Sequence, residues 1–184
     1  MISFSIYLIS FCWLLGFYFL WRIPRLDPPP VPAAIDPSEV SIIVPARNEA
    51  NNLKILLDSL RSQYHPPGEI IVVDDHSVDD TSAIASKSGC RVIQSTPLPD
   101  GWAGKPWACW QGALQAKGKF LLFLDADTML APEGIHQLMT TYHKEGGLLT
   151  VQPYHYMERP YERLSAFFNI ITMAGTGAFS LLCP

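Results

Sequence analysis

The sequence predicts an α/β domain, a mostly parallel sheet flanked by helices, preceded by one N-terminal transmembrane helix. Three observations carry that prediction. From Val40 onward, short apolar runs alternate with amphipathic segments, the pattern of strand-helix-strand units that build a parallel sheet. The run Phe120–Leu124 is continuously apolar and ends in Asp125-Ala126-Asp127, which reads as a strand buried on both faces with acids at its carboxyl end. Ahead of both, Met1–Trp21 carries no charged side chain over about twenty residues, the length that spans a hydrocarbon core as a helix.

Taken in order, residues 1–22 form the expected anchor. Arg22 and Arg25 follow it and no Lys or Arg precedes it, so the positive-inside rule places the rest of the chain in the cytoplasm, at the cell membrane. A cleaved signal peptide is disfavoured because there is no basic leading region and no small-residue cleavage site. Residues 23–38 hold six prolines, which forbid a continuous helix and favour an extended spacer. The predicted domain occupies residues 39–160. In it, Val40–Val44 is a strand and Glu49–Gln63 a helix with Leu53, Leu56, Leu57 and Leu60 on one face. Glu69–Val73 is the next strand, Asp79–Ser88 a short helix and Arg91–Gln94 a third strand. Pro106–Lys117 is a helix opened by proline, Phe120–Leu124 the fourth strand and Pro132–His143 a helix, with Leu148–Val151 continuing the alternation. Residues 161–184 are apolar towards their end and are expected to begin an incomplete acceptor-side region, with packing preferred over a membrane span for Phe167–Pro184.

Composition narrows the function. A net charge of −4 and a pI near 5.7 give no electrostatic case for nucleic acid as a partner. The four cysteines, Cys12, Cys90, Cys109 and Cys183, lie far apart without Cys-x-x-Cys or Cys/His spacing, so neither zinc nor a disulfide framework is indicated. His76, His136, His143 and His155 form no ligand-like cluster.

In an open α/β sheet, ligands bind beyond the carboxyl ends of the strands. Four such loops carry chemistry-bearing residues. Pro45-Ala46-Arg47-Asn48-Glu49 follows the first strand and Asp74-Asp75-His76-Ser77-Val78-Asp79-Asp80-Thr81 the second. In the second loop the crowded acids need donors or a cation to offset their repulsion, and Asp79 or Ser77 can instead cap the next helix. Asp100–Trp107 presents Lys105 beside glycines at a helix start, an anion site suited to a phosphate, against the commoner fate of a solvated lysine. Asp125 and Asp127 suit a hard divalent cation, Mg²⁺ or Mn²⁺, which in turn suits a diphosphate; Asp127 can equally begin a turn or cap a helix. A calcium loop, a P-loop and a G-x-G-x-x-G turn all lack their motifs. Trp102, Trp107 and Trp110 can pack in the core or meet a lipophilic acceptor.

Jointly, IIVPARNE at 42–49, IIVVDDHSVDDT at 70–81, GWAGKPWACWQGA at 101–113 and LFLDAD at 122–127 resemble the nucleotide-sugar half of the family-two, inverting GT-A glycosyltransferases. Within that family, GKPWACWQG followed by LLTVQPYHYMERPYERLSAFFN is similar to membrane-associated enzymes that glucosylate a carotenoid. The resemblance implies a GT-A fold and a UDP-sugar donor, with glucose as the sugar and a carotenoid or other lipid as acceptor. It implies that Pro45 and Glu49 border the nucleotide and that Asp75 contacts the uracil. By the same resemblance Lys105 lies near the diphosphate, Asp125 near the ribose and the metal, and Asp127 on the Mg²⁺ or Mn²⁺ itself. The family's catalytic base comes from a later acidic segment that this chain does not show, so it is expected beyond Pro184 and the chain reads as truncated. Glu158 and Glu162 carry no spacing that marks either as that base. A nucleotide-sugar-binding module without transfer is the alternative.

Overall fold

A computed structural model describes residues 2–19 and 36–151 of the chain. The chain divides into two compact units, one holding residues 26–150 and the other containing the N-terminal helix α1, Ile2–Phe19. The proline-rich segment before residue 36, Glu158 and Glu162, and the apolar end at 161–184 lie outside the described residues.

The expected spanning helix is not borne out. α1 has 18 residues, about 27 Å at the α-helical rise, against a hydrocarbon core of about 30 Å. Among the described residues no helix is long and apolar enough to cross a membrane. Its middle, from Ile6 to Leu15, is nonetheless apolar and exposed on every side.

The larger unit contains a four-stranded sheet of order β3-β2-β1-β4, with β1 Val40–Ala46, β2 Glu69–Asp74, β3 Arg91–Gln94 and β4 Phe120–Phe123. All three pairings are parallel. The α/β expectation therefore holds. Helices α2 Ala50–Arg61, α3 Thr81–Lys87 and α5 Gly134–Glu145 pack on one face, and α4 Gly104–Gln115 packs on the other. The two faces follow from the strand period of two. Val40, Ile42, Val44 and Val72 join Leu53, Leu56, Leu57, Leu60 and Ile135 in one cluster, whereas Ile43, Ile71 and Val73 meet Ala108 of α4 in the other. The leucine face read from sequence is thus the face of α2 that is buried.

Several elements differ in extent from those expected, and three of the differences have a local reason. α4 begins at Gly104 and not at Pro106, so Lys105 lies in its first turn; proline is accepted there because the first amides have no intrahelical partner. α3 begins at Thr81 because the Asp79 carboxylate is already engaged by the amides of Ala50 and Thr81. Leu148–Val151 forms no strand: Gly146 and Gly147 precede it with φ of +69° and +70°, and Leu148 is 92% exposed.

A fourth correction concerns β4. The sequence predicts burial on both faces, but among the described residues β4 stands at the sheet's edge, and Leu121 and Phe123 are 44% and 48% exposed. The helix α4 lies over β1 and β2, which leaves that side of β4 uncovered among the described residues.

Two polar latches fix the sheet to its surroundings. At its amino end, Ser41 Oγ donates to Glu69 Oε1 at 2.6 Å, Gly118 N donates to Ser41 Oγ at 2.8 Å, and Lys117 N donates to Glu69 Oε1 at 2.5 Å. On the α2 side, Gln63 donates to the Ala131 carbonyl at 2.6 Å and accepts from Ile135 N at 3.1 Å, while Ser59 Oγ accepts from Leu130 N at 3.2 Å. The second latch holds the segment that leaves Asp127 and so sets where that carboxylate stands.

Candidate active site

Sequential strands run β1, β2, β3 in one direction, and the chain then crosses back through α4 to place β4 on the other side of β1. This reversal creates the crevice where ligands bind in open α/β sheets, at the carboxyl ends of β1 and β4. A cavity of about 390 Å³ lies there. Its wall includes Pro45, Glu49, Asp75, Lys105, Asp125 and Asp127, so all six residues singled out in the sequence come together. Arg47, Gly104, Ala108 and Ala126 complete the lining with Ala46.

Strand register explains the first contact. Ala46 pairs with Asp74, so the next residues out, Arg47 and Asp75, emerge side by side, and Arg47 Nη1 lies 3.7 Å from Asp75 Oδ2. Asp75 N also donates to the Ala46 carbonyl at 2.8 Å. Arg47 was not among the residues picked from sequence. Opposite charges one position beyond a parallel strand pair were the available signal.

The crowded acids of the β2 loop each have their own donors. Asp74 is buried and accepts from Ser77 N and Gln94 Nε2, both at 3.0 Å, which makes it structural. Asp79 accepts from Ala50 N at 3.1 Å and from Thr81 N at 3.0 Å, and its carboxylate is also bonded by the Thr81 hydroxyl. The Thr81 hydrogen bond is the main reason that the Asp79 carboxyl titrates below the usual carboxylate range. Asp79 thus accepts from the first amide of α2 and from the first amide of α3, and so ties the two helix starts together. Three further bonds stitch the loops together: Glu49 N to Thr81 Oγ1 at 2.9 Å, Val78 N to Asn48 Oδ1 at 2.8 Å and Asn48 N to Ser77 Oγ at 3.0 Å. Asn48 holds φ +56° and His76 φ +59°, left-handed conformations that this stitching maintains. Only Asp75 of the cluster faces the cavity.

Across the crevice, Lys105 Nζ lies 2.7 Å from Asp125 Oδ1, a charge-assisted hydrogen bond between two exposed groups. No side chain caps α4, whose N-cap is Ala103, which leaves the amides of Gly104 and Lys105, two residues of the cavity wall, open to an anion. A Cβ at Gly104 would stand 3.3 Å from Asp75 Oδ2, so glycine leaves that carboxylate room on the cavity wall. Asp125 and Asp127 flank the buried Ala126 on one rim, in a turn closed by Thr128, whose N and Oγ1 both donate to the Asp125 carbonyl at 3.1 and 2.7 Å. The turn thus begins at the Asp125 backbone and not at Asp127, and it leaves the Asp127 carboxylate without a partner among the described residues.

Glu49 turns its carboxylate onto Asn52 Nδ2 at 2.7 Å, so part of its bonding capacity serves the start of α2. Burial raises the thiol pKa of Cys109, which the neighbouring Asp125 reinforces and Lys105 opposes. Trp102 meets Trp107 edge-on at 5.1 Å and Trp110 at 6.1 Å between ring centroids, a cluster outside the cavity wall.

The two carboxylates on one rim are hard oxygen donors of the kind that Mg²⁺ and Mn²⁺ take. Among the described residues there is no group of three or more His, Cys, Asp or Glu side chains that could hold a metal ion. The pair therefore fits an ion that receives its remaining ligands from water and a bound diphosphate, not an all-protein cage.

Comparison with known proteins agrees with this geometry. The family model described as "Glycosyl transferase family 2" matches residues 41–178. The chain is 43% identical over 148 residues to a 4,4'-diaponeurosporenoate glycosyltransferase of Staphylococcus haemolyticus, strain JCSC1435. It is 41% identical over 147 residues to the protein of the same name from Staphylococcus aureus, strain MRSA252. Both alignments take in 78% of this chain, which spans 39% of the length of each relative. Among solved structures, S. aureus TarS 1–349 is similar, at 28% identity with a TM-score of 0.50 over 61% of this chain and 38% of that one. The match over residues 41–178 takes in the described sheet from Ser41 onward and every residue of the cavity wall, and the chain belongs to glycosyl transferase family 2.

Proposed function

We propose that the cavity binds a UDP-sugar through Mg²⁺ or Mn²⁺, and that the protein transfers the sugar, glucose on this reading, with inversion to a lipophilic acceptor. The observation that carries the proposal is the meeting of Asp75, Lys105, Asp125 and Asp127 around one cavity at the sheet's switch point. Asp75 accepts a hydrogen bond from the uracil, and Pro45 and Glu49 border the nucleotide. Lys105 and the uncapped first turn of α4 bind phosphate. Asp125 reaches the ribose and the metal, and Asp127 holds the metal. When bound, the ion supplies positive charge that offsets the charge gathering on the departing diphosphate.

The acceptor class rests on the names of the two staphylococcal relatives. Such an acceptor resides in lipid, and the exposed apolar surface of α1 suits the same environment. We place the protein at the membrane with its sheet domain on the cytoplasmic side, and vesicle flotation with and without residues 1–22 tests that placement.

Calorimetry of UDP binding to the chain, with and without Mn²⁺ and repeated on Asp127→Ala, tests the donor half. Binding that strengthens at least tenfold with Mn²⁺ and loses that gain in the variant supports the proposal. Binding indifferent to both metal and substitution overturns it.

A further inference from the structure

We propose that Lys105 is an internal counter-ion to Asp125 that a nucleotide diphosphate draws away, so that nucleotide and divalent metal bind cooperatively and the free protein binds metal weakly. The inference rests on the reading of the cavity as a nucleotide-diphosphate and metal site, and adds an order of events to it.

The starting observation is the 2.7 Å contact of Lys105 Nζ with Asp125 Oδ1. Two carboxylates line the rim, and one of them is already neutralised by an ammonium group, leaving Asp127 alone to attract a cation. A divalent ion beside Asp125 would also meet the lysine charge at close range, where repulsion is only partly screened. The free protein is thus a poor metal site for a reason visible in its own side chains.

The lysine has a second anion within reach of its own helix. It lies in the first turn of α4, where the amides of Gly104 and Lys105 have no intrahelical partner and both residues line the cavity. A diphosphate placed there offers charge-assisted bonds from several donors at once, whereas Asp125 offers the lysine one carboxylate. The pair is weakly held, since the side chains of Lys105 and Asp125 are 60% and 53% exposed, and exposed ion pairs exchange readily. When the lysine moves to phosphate, Asp125 regains its free charge beside Asp127, and the diphosphate adds oxygens of its own. Nucleotide therefore strengthens metal binding, and by linkage metal strengthens nucleotide binding by the same factor.

The test measures Mn²⁺ binding to the chain by electron paramagnetic resonance, with and without UDP, for the wild type, Lys105→Met and Lys105→Gln. Both substitutions fall at an exposed position, and circular dichroism confirms folding. The expected result is that, without nucleotide, either variant binds Mn²⁺ about two- to fivefold more tightly than wild type, the range that an exposed ion pair can contribute. The gain in Mn²⁺ affinity that UDP confers falls by at least the same factor. Unchanged or weaker Mn²⁺ binding in the nucleotide-free variants, with wild type still binding UDP and Mn²⁺ together, overturns the counter-ion role and leaves the site reading standing. Wild-type protein that binds neither UDP nor Mn²⁺ overturns both.

Discussion

Arg47 and Asp75 stand 3.7 Å apart because their strands end in register one residue earlier, at Ala46 and Asp74. The contact gives the two residues different expected phenotypes. Arg47 is exposed and reaches Asp75 from the solvent side, so Arg47→Ala should change stability by less than about 0.5 kcal/mol. Its charge still faces the cavity, and UDP binding should weaken severalfold, more at low salt than at high salt. Titration calorimetry at two ionic strengths checks both statements; equal loss at both would remove the electrostatic role.

Asp75→Ala removes the acceptor proposed for the base. A hydrogen bond to a charged group contributes about 1.5–3 kcal/mol, or roughly ten- to a hundredfold in affinity. Because that contact does not involve phosphate, uridine and UDP should weaken by the same factor. Competition binding with both ligands measures the ratio, and a loss confined to UDP would move Asp75 from the base to the diphosphate.

The stitching of the β1 and β2 loops depends on Thr81, which is fully buried. Its hydroxyl receives the Glu49 amide at 2.9 Å and bonds to the Asp79 carboxylate. Thr81→Val keeps the shape and removes both bonds, leaving a backbone amide without its partner, at a cost of about 1–3 kcal/mol. Denaturant unfolding should show that loss. UDP affinity should fall with it, since Glu49 and Arg47 sit on the loop so released; a destabilised variant with unaltered UDP affinity would confine Thr81 to folding.

Much of this site was legible before any coordinates. The apolar runs of β1 and β2 end in charged residues, and a charged residue at a strand tip has few places to go but a ligand crevice. Lys105 was legible as an anion-binding candidate from its place beside glycines at a helix start. The edge position of β4 was not, because FLLF reads the same in a central strand as at an edge, and exposure of Leu121 and Phe123 depends on which strand lies beside them. Arg47 escaped because its meaning comes from the register of two strands more than twenty residues apart in sequence. The start of α4 escaped because proline suits several positions of a first turn equally.

Gly112 sets how closely α4 approaches the sheet. A Cβ there would meet Ile43 Cγ2 at 2.5 Å and Val73 Cγ2 at 3.1 Å, both in the packed interior. Alanine gains helix propensity of up to about 1 kcal/mol, and overpacking costs about 1–3 kcal/mol. The two nearly rigid valine and isoleucine methyls make overpacking the larger effect, so Gly112→Ala should lose up to about 2 kcal/mol. Thermal unfolding decides it, and a stabilised variant would mean that α4 can lift off the sheet freely.

Acid sensitivity should come in part from the far end of the sheet. Burial of Glu69 favours its neutral form, but the hydrogen bonds from Ser41 and Lys117 and the nearby Arg91 outweigh it and hold the carboxyl below its ordinary value of 4.5. A carboxyl lowered in the folded state stabilises the protein above its unfolded pKa, and that contribution fades as pH falls from about 4.5 through the lower folded value. Glu69→Gln keeps the shape but cannot accept charge-assisted bonds from Ser41 Oγ at 2.6 Å and Lys117 N at 2.5 Å, so at pH 7 it should lose about 1–3 kcal/mol. The gap between wild type and variant should then close as the pH is taken from 6 towards 3, approximately where Glu69 takes up its proton. Urea unfolding across that range measures the gap directly; a constant difference would assign the loss to packing and not to the charge on Glu69.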